Sequence, residues 1–223
     1  LNIHTKNGNR KLFASVNPAA SRLHLTCENI QNPPAPFSFC MLMRKHIQNG
    51  RITSVHQKDS ERIIEIDIET LNELGFAVSK RLIFEIMGKH SNIVLTDIST
   101  GKIIDAIKHI SIDVNRVRQI LPGLVYQYPP VQDKIPFKKV TENTSIPADP
   151  KGIQRTIGGI SPAFAEELSH EDDPHLRLRN VISAVSQGST SPVVYSDEKN
   201  SPKEFYLTPL AEYEDVCQVT RFD

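Results

Sequence analysis

Gly88-Lys89-His90-Ser91-Asn92 places a cation, an imidazole, a hydroxyl and an amide directly after a glycine, between two runs of β-favouring residues. Glycine lets a backbone approach a ligand closely. Lys89, His90, Ser91 and Asn92 together offer groups able to bind a phosphate or a nucleotide edge. The same residues also make an ordinary polar turn between strands, and residue types alone favour the turn. Other cations recur along the chain. Arg44-Lys45-His46 and Arg51 form a compact basic set, although cations at the end of a helix also offset its dipole. Arg116 and Arg118 follow Lys108-His109, and Arg177 and Arg179 share a later segment. Glu61-Arg62 is an adjacent acid–base pair of the kind that commonly decorates a solvated surface. Few aromatics interleave these cations, which points to phosphate contacts rather than base stacking. With five Tyr, nine Phe and no Trp, recognition of folded RNA through shape and backbone fits better than a single-strand platform.

Templates for catalysis are missing. There is no GxSxG elbow, P-loop, GxGxxG or HExxH. None of the eight histidines stands at metal-ligand spacing from another. His170 and His175 flank the acidic run Glu171-Asp172-Asp173, which reads as a loop, and Glu166-Glu167 reads as helix surface. Ser, His and Asp are present without a spacing that assembles a triad. No enzyme activity, cofactor or metal is expected.

Composition is that of an ordinary globular protein, 39% hydrophobic and 23% charged over 223 residues. A chain of this length buries a real core without disulfides. Cys27, Cys40 and Cys217 are odd in number and far apart, so they build neither a disulfide framework nor a CxxC site, and free thiols suit a reducing cytosol. No apolar run approaches the roughly 20 residues that span a bilayer, and the residues from Leu1 onward do not read as a signal peptide. Net charge is zero but unevenly spread. Residues 1–139 hold 19 Lys+Arg against 12 Asp+Glu, a net of +7, and residues 140–223 hold 7 against 14, a net of −7. Such asymmetry hints at an anionic partner for the basic half.

The elements that would position these groups are mostly strands at first. Lys11–Val16 and Arg22–Thr26 nearly alternate. The proline-rich stretch 31–36 stops them, and Phe37–Gln48 reads as a helix with Pro36 in its first turn and Asn49-Gly50 at its end. In Arg62–Glu69, Ile64, Ile66 and Ile68 face one side while Glu65, Asp67 and Glu69 face the other, as in a half-exposed antiparallel strand. Val55–Gln57 leads into it through a hairpin. Lys80–Met87 fits helix or strand, and strand is favoured because Gly88 and Asn92–Thr96 make a tight pair with it; Lys102–Ile110 is a further strand. A proline-rich linker follows. Lys151–Ser169 then reads as two helices broken at Gly158-Gly159, with Ser161 as N-cap and Pro162 at the first helical position. Pro174–Gln187 is a third helix, with Leu176, Val181, Ala184 and Val185 inward. Pro192–Tyr195, Glu204–Leu207 and Val216–Phe222 close the chain as strands. The fold class is α+β: a β-rich domain over 1–135, a linker over 136–150, a helical subdomain over 151–188 and closing strands over 189–223.

Several segments together resemble one family: Pro36-Phe-Ser-Phe-Cys-Met-Leu-Met-Arg-Lys-His46, Glu61-Arg-Ile-Ile64, Glu73-Leu-Gly75, Leu82-Ile-Phe-Glu-Ile-Met-Gly-Lys-His-Ser-Asn-Ile-Val-Leu95 and Arg118-Gln-Ile-Leu-Pro-Gly123. They look like the N-terminal domain of the NFACT proteins, a family also described as fibronectin- or fibrinogen-binding. The resemblance is strongest over residues 10–135 and continues to Phe222. It implies a fold like the N-terminal and helix–two-turn–helix parts of formamidopyrimidine-type DNA glycosylases. It further implies a cytoplasmic, ribosome-associated, non-enzymatic module. Such a module binds the large ribosomal subunit carrying a stalled peptidyl-tRNA and recruits tRNA, alanyl-tRNA in bacteria, for C-terminal tailing. The family's acidic–arginine pair, with Asp the usual acid, falls on Glu61-Arg62, and its Gly-Arg-His-Ser-Asn run is Gly88-Lys89-His90-Ser91-Asn92 here. The implied RNA-contacting set is Glu61, Arg62, Lys89, His90, Ser91 and Asn92, with Arg44, Lys45, Arg116 and Arg118 as supporting cations. The resemblance also implies residues upstream of Leu1 and a coiled coil after Phe222. Two other readings compete: an adhesin for fibronectin or fibrinogen, and a DNA-repair glycosylase by fold analogy alone. The RNA reading requires Arg62, Lys89 and His90 to share one face.

Overall fold

The computed structural model describes residues 1–130, 132–214 and 216–222. The chain divides into two compact units, residues 1–130 and 131–223. Among the described residues no helix is long and apolar enough to cross a membrane.

In the first unit, β1 (Asn2–Thr5), β2 (Gly8–Ser15) and β3 (Arg22–Thr26) form an antiparallel meander. Helix α1 (Ser38–Ile47) follows, with Phe37 as its N-cap, so Pro36 lies just outside the helix rather than in its first turn. A second antiparallel sheet takes its strands in chain order: β4 (Arg51–Gln57), β5 (Ile63–Leu71), β6 (Ala77–Glu85), β7 (Asn92–Asp97) and β8 (Ile103–Ala106). Short connections between neighbouring antiparallel strands make this sequential order the simple solution. Period-two alternation sends Ile66, Ile68, Leu82, Phe84, Ile93 and Leu95 to one face, where Leu42, Met43 and Ile47 of α1 and Leu12 and Leu23 of the meander cover them. Gly50, just after α1, is required by this approach: a Cβ there would stand 2.6 Å from Ile68 Cγ2.

The opposite face departs from expectation. Glu65, Asp67 and Glu69 alternate with isoleucines as on a half-solvated strand, yet this side of the sheet carries a second apolar cluster of Ile63, Ile83, Val94, Ile103, Ala106 and Ile120. The irregular segment after β8 folds back over it, bringing Ile110, Ile120 and Tyr126. Glu65 and Glu85 are consequently 1% exposed. Buried carboxylates need partners, and each has them. Glu65 accepts from Tyr128, meets His56 and stands 3.2 Å from Arg81 Nη1. Glu85 accepts from Arg118 Nη1 at 3.0 Å and from the Tyr126 hydroxyl at 2.8 Å. Arg81 also donates to both Asp67 oxygens, at 2.6 and 2.9 Å, which holds the Asp67 carboxyl below its ordinary range.

The second unit is built on three longer helices and a small sheet. Each helix opens with a proline behind an oxygen-bearing cap: Asp149 for α2 (Pro150–Thr156), Ser161 for α3 (Pro162–His170) and Asp173 for α4 (Pro174–Gln187). Gly188, at φ 66°, ends α4. Two-residue strands β9 (Ile135–Pro136) and β10 (Ile157–Gly158) pair in parallel. An antiparallel sheet in the order β12 (Pro202–Tyr206), β11 (Val193–Ser196), β13 (Gln218–Arg221) completes the unit, with the short helix α5 (Ala211–Glu214) before the last strand. Phe164, Leu168, Leu178, Val181, Val193 and Tyr195 are buried together. Three expectations change here. Leu176 and Val185 point outward, and Leu178 with Val181 supplies the buried stripe of α4 instead. The stretch 136–150 is not a free connector, since Phe137, Val140 and Ile146 pack on this core. Glu167 is buried, not helix surface, because Arg177 folds onto it with Nε at 2.9 Å.

Candidate nucleic-acid interface

The residues singled out in the sequence separate into three groups by what the sheet does with them. Residue 62 immediately precedes β5, and residues 86–91 connect β6 to β7. Antiparallel register pairs Ile63 with Glu85 and Glu85 with Asn92, so these connections lie side by side at one end of the sheet. The Ile86 amide donates to the Arg62 carbonyl at 2.8 Å, fastening them together. Glu61 sits in the adjoining turn, where its amide donates to Lys58 O and its own carbonyl accepts from Gln57.

The Gly88 turn is organised from within. Gly88 has φ +56° and opens a single 3-10 turn over Gly88–His90. Ser91 is fully buried, and its hydroxyl accepts the Met87 amide at 2.8 Å. Asn92, also fully buried, accepts from the Ile93 and Lys108 amides and donates to Lys108 O at 2.8 Å. These two side chains spend their hydrogen bonds holding the turn and its neighbour at residue 108. They position the site rather than offer it a surface. Lys89 and His90, between Gly88 and Ser91, are exposed.

Arg118 also lies inside, 9% exposed. Besides gripping Glu85 it donates through Nε to Gln127 O and stacks 5.1 Å over the Tyr126 ring. Burial opposes its charge, and the Glu85 carboxylate outweighs that and raises its pKa. It anchors the segment 111–118 to the sheet end that carries Gly88. Arg116 stands exposed on that segment, which is tightened by Asn115 accepting the Val117 and Arg118 amides.

Arg44 and Lys45 go elsewhere. Lys45 pairs with Glu73 at 3.0 Å, in the connection between β5 and β6 at the far end of β5 from Arg62. A nine-residue strand spans about 27 Å, so these two cations and Arg62 lie on opposite ends of the sheet. Arg177 and Arg179 are engaged with Glu167 and Glu142 in the second unit. Among the described residues Arg62, Lys89, His90 and Arg116 make no ion pair, so the charges of Arg62, Lys89 and Arg116 and the His90 imidazole are available to an external anion. Sequence reasoning overlooked the buried Glu85 that orders this end. The local signal is slight, an acid directly after the apolar run Leu82–Phe84 of β6, and its partner Arg118 lies 33 residues away.

The whole chain, residues 1–223, matches the family described as NFACT N-terminal and middle domains. It is 41% identical to the "Rqc2 homolog RqcH" of Bacillus subtilis, over 75% of this chain and 31% of that protein. It is 38% identical to the protein of the same name from Streptococcus suis, over 98% of this chain and 44% of that one. The chain thus spans less than half the length of these relatives. Among solved structures, it superposes with a TM-score of 0.80 on the N-terminal part of the fibronectin/fibrinogen-binding protein from Streptococcus suis, at 32% identity, covering 96% of this chain and 79% of that one. A fibrinogen-binding protein from Staphylococcus aureus gives a TM-score of 0.81 at 28% identity, over 100% of this chain and 82% of the other.

Proposed function

Since this chain belongs to the NFACT family, we propose that it is the RNA-binding part of a ribosome-quality-control factor. In this reading it acts in the cytoplasm, at the large ribosomal subunit that carries a stalled peptidyl-tRNA, and recruits tRNA, alanyl-tRNA in bacteria, for C-terminal tailing. It binds and positions but catalyses nothing itself. The likeness of its two units to parts of formamidopyrimidine-type glycosylases belongs to the same proposal. The observation that carries the reading is the meeting at one sheet end of Arg62 with Lys89 and His90, none of which makes an ion pair among the described residues. Phosphates favour such sites because each neutralised one releases counterions. Exposed Arg116 enlarges the cationic surface, and Ser91, Asn92 and Arg118 keep its parts in register.

The test is tRNA binding by the triple variant Arg62→Ala, Lys89→Ala, His90→Ala. Affinity should fall, and the slope of log affinity against log salt should shrink by about one per lost phosphate contact, with the melting curve unchanged. Unaltered affinity and slope would refute the assignment. A second reading, binding of fibrinogen or fibronectin, draws on the names of the similar structures. Saturable binding of purified fibrinogen by nuclease-treated protein, retained in the triple variant, would favour it.

A further inference from the structure

The second unit brings together a different set of groups. Glu166 and His170 stand four apart on α3 and so share one face. Glu212, from α5, closes on them: one ligand atom from each of the three lies within 4.8 Å of the others. Glu212 meets His170 Nδ1 directly. Among the described residues neither Glu166 nor Glu212 pairs with Lys or Arg, so two carboxylates converge on one imidazole without a fixed cation. Like charges held this way gain from a bound cation.

The convergence is not left to mobile side chains. The buried Glu167 carboxylate accepts the Ala211 amide at 2.8 Å and so clamps the start of α5 onto α3. Arg177 holds Glu167 in turn, with Nη2 at 2.6 Å. Tyr213 packs on Tyr195 with ring centroids 5.2 Å apart, and the Tyr195 hydroxyl accepts the Leu210 amide at 2.6 Å. Both flanks of Glu212 are thereby fixed. His175, five residues after His170, is spent on the Thr144 carbonyl at 2.9 Å.

We propose that Glu166, His170 and Glu212 form a divalent transition-metal site, suited to zinc, with solvent completing the coordination. An imidazole with two carboxylates is the mixed nitrogen and oxygen set that zinc takes, whereas calcium and magnesium prefer oxygen alone. Ligand atoms in a tetrahedral zinc site stand about 3.3 Å apart, from bonds of about 2.0 Å. Small rotations of the exposed Glu166 and His170 side chains toward the half-buried Glu212 supply the closure. This site is independent of the RNA reading.

The test is calorimetric titration of the 223-residue chain with zinc chloride, with magnesium and calcium chloride in parallel and cobalt chloride as an optical probe. Expected are one saturable zinc site, no comparable uptake of magnesium or calcium, and a cobalt absorption band in the visible. Glu166→Gln leaves the His170–Glu212 pair intact and should weaken zinc by about tenfold or more, at least the loss that follows removal of an outer partner of a metal ligand. His170→Ala should abolish the cobalt band. Circular dichroism without metal verifies that each variant folds; if His170→Ala does not, the exposed Glu166→Gln decides. Absence of zinc binding overturns the proposal. So does unchanged zinc affinity in Glu166→Gln, which would send the metal to other histidines or cysteines.

Discussion

Glu85→Gln isolates the contact on which the cationic sheet end depends. The glutamine keeps the shape and one acceptor but removes the charge that faces Arg118. Both side chains are nearly out of water, Glu85 at 1% and Arg118 at 9% exposure. Breaking a buried pair by neutralising one partner costs about 3–5 kcal/mol, because the other charge stays buried without compensation. That is a large fraction of the roughly 5–15 kcal/mol by which domains are stable. For a chain of this size about 2–4 °C accompanies each kcal/mol, so the melting temperature of the first unit should fall by about 6–20 °C. Thermal unfolding followed by circular dichroism measures that shift and urea unfolding the free-energy loss, since the chain has no Trp to report. The double variant Glu85→Leu with Arg118→Met removes both charges, and it should recover most of the loss, because apolar pairs of similar volume replace buried ion pairs at little cost. A Glu85→Gln protein within about 1 kcal/mol of the parent, well short of the cost of an uncompensated buried charge, would refute the reasoning. It would mean that water reaches Arg118.

Other consequences follow from neighbouring groups. Gly88→Ala should cost about 1–2 kcal/mol through the left-handed backbone alone, since a Cβ at Gly88 meets nothing within 4 Å; Gly88→Asn, which tolerates that region, should cost less in the same urea assay. Acid should unfold the first unit through Asp67 and Asp97. The Arg81 hydrogen bonds hold Asp67 down, and at Asp97 burial pushes upward but the Lys80 ammonium, Ser99 and Thr100 outweigh it. Folded values below the unfolded one of about 3.9 mean stability that is complete above that pH and lost as pH falls toward the depressed values. Asp67→Asn should flatten this dependence in urea midpoints measured from neutral to acid pH.

Much of the fold is legible in local sequence pattern. The alternation in β5 named its Ile64, Ile66 and Ile68 face, and Ser161-Pro162 marked the start of α3. These are local signals, carried by side-chain period and by caps that act within a turn. The inward residues of α4 were read less well, because Leu176 and Leu178 are equally apolar and only packing decides which is buried. The site divides along the same line. Gly88-Lys89-His90-Ser91-Asn92 is recognisable in the sequence as a unit of residue types.

By itself, then, the sequence determined the strand and cap pattern, the segregation of charge and the family. Tertiary structure decided which polar groups remain free. It buried Ser91, Asn92 and Arg118, left Lys89, His90 and Arg62 exposed together, and sent Arg44 and Lys45 to the other end of the sheet. The physical reason is range. A strand's period is set by its own residues, whereas the desolvation of Glu85 needs a chain segment more than thirty residues away to fold over it, and no local pattern encodes where that segment comes to rest.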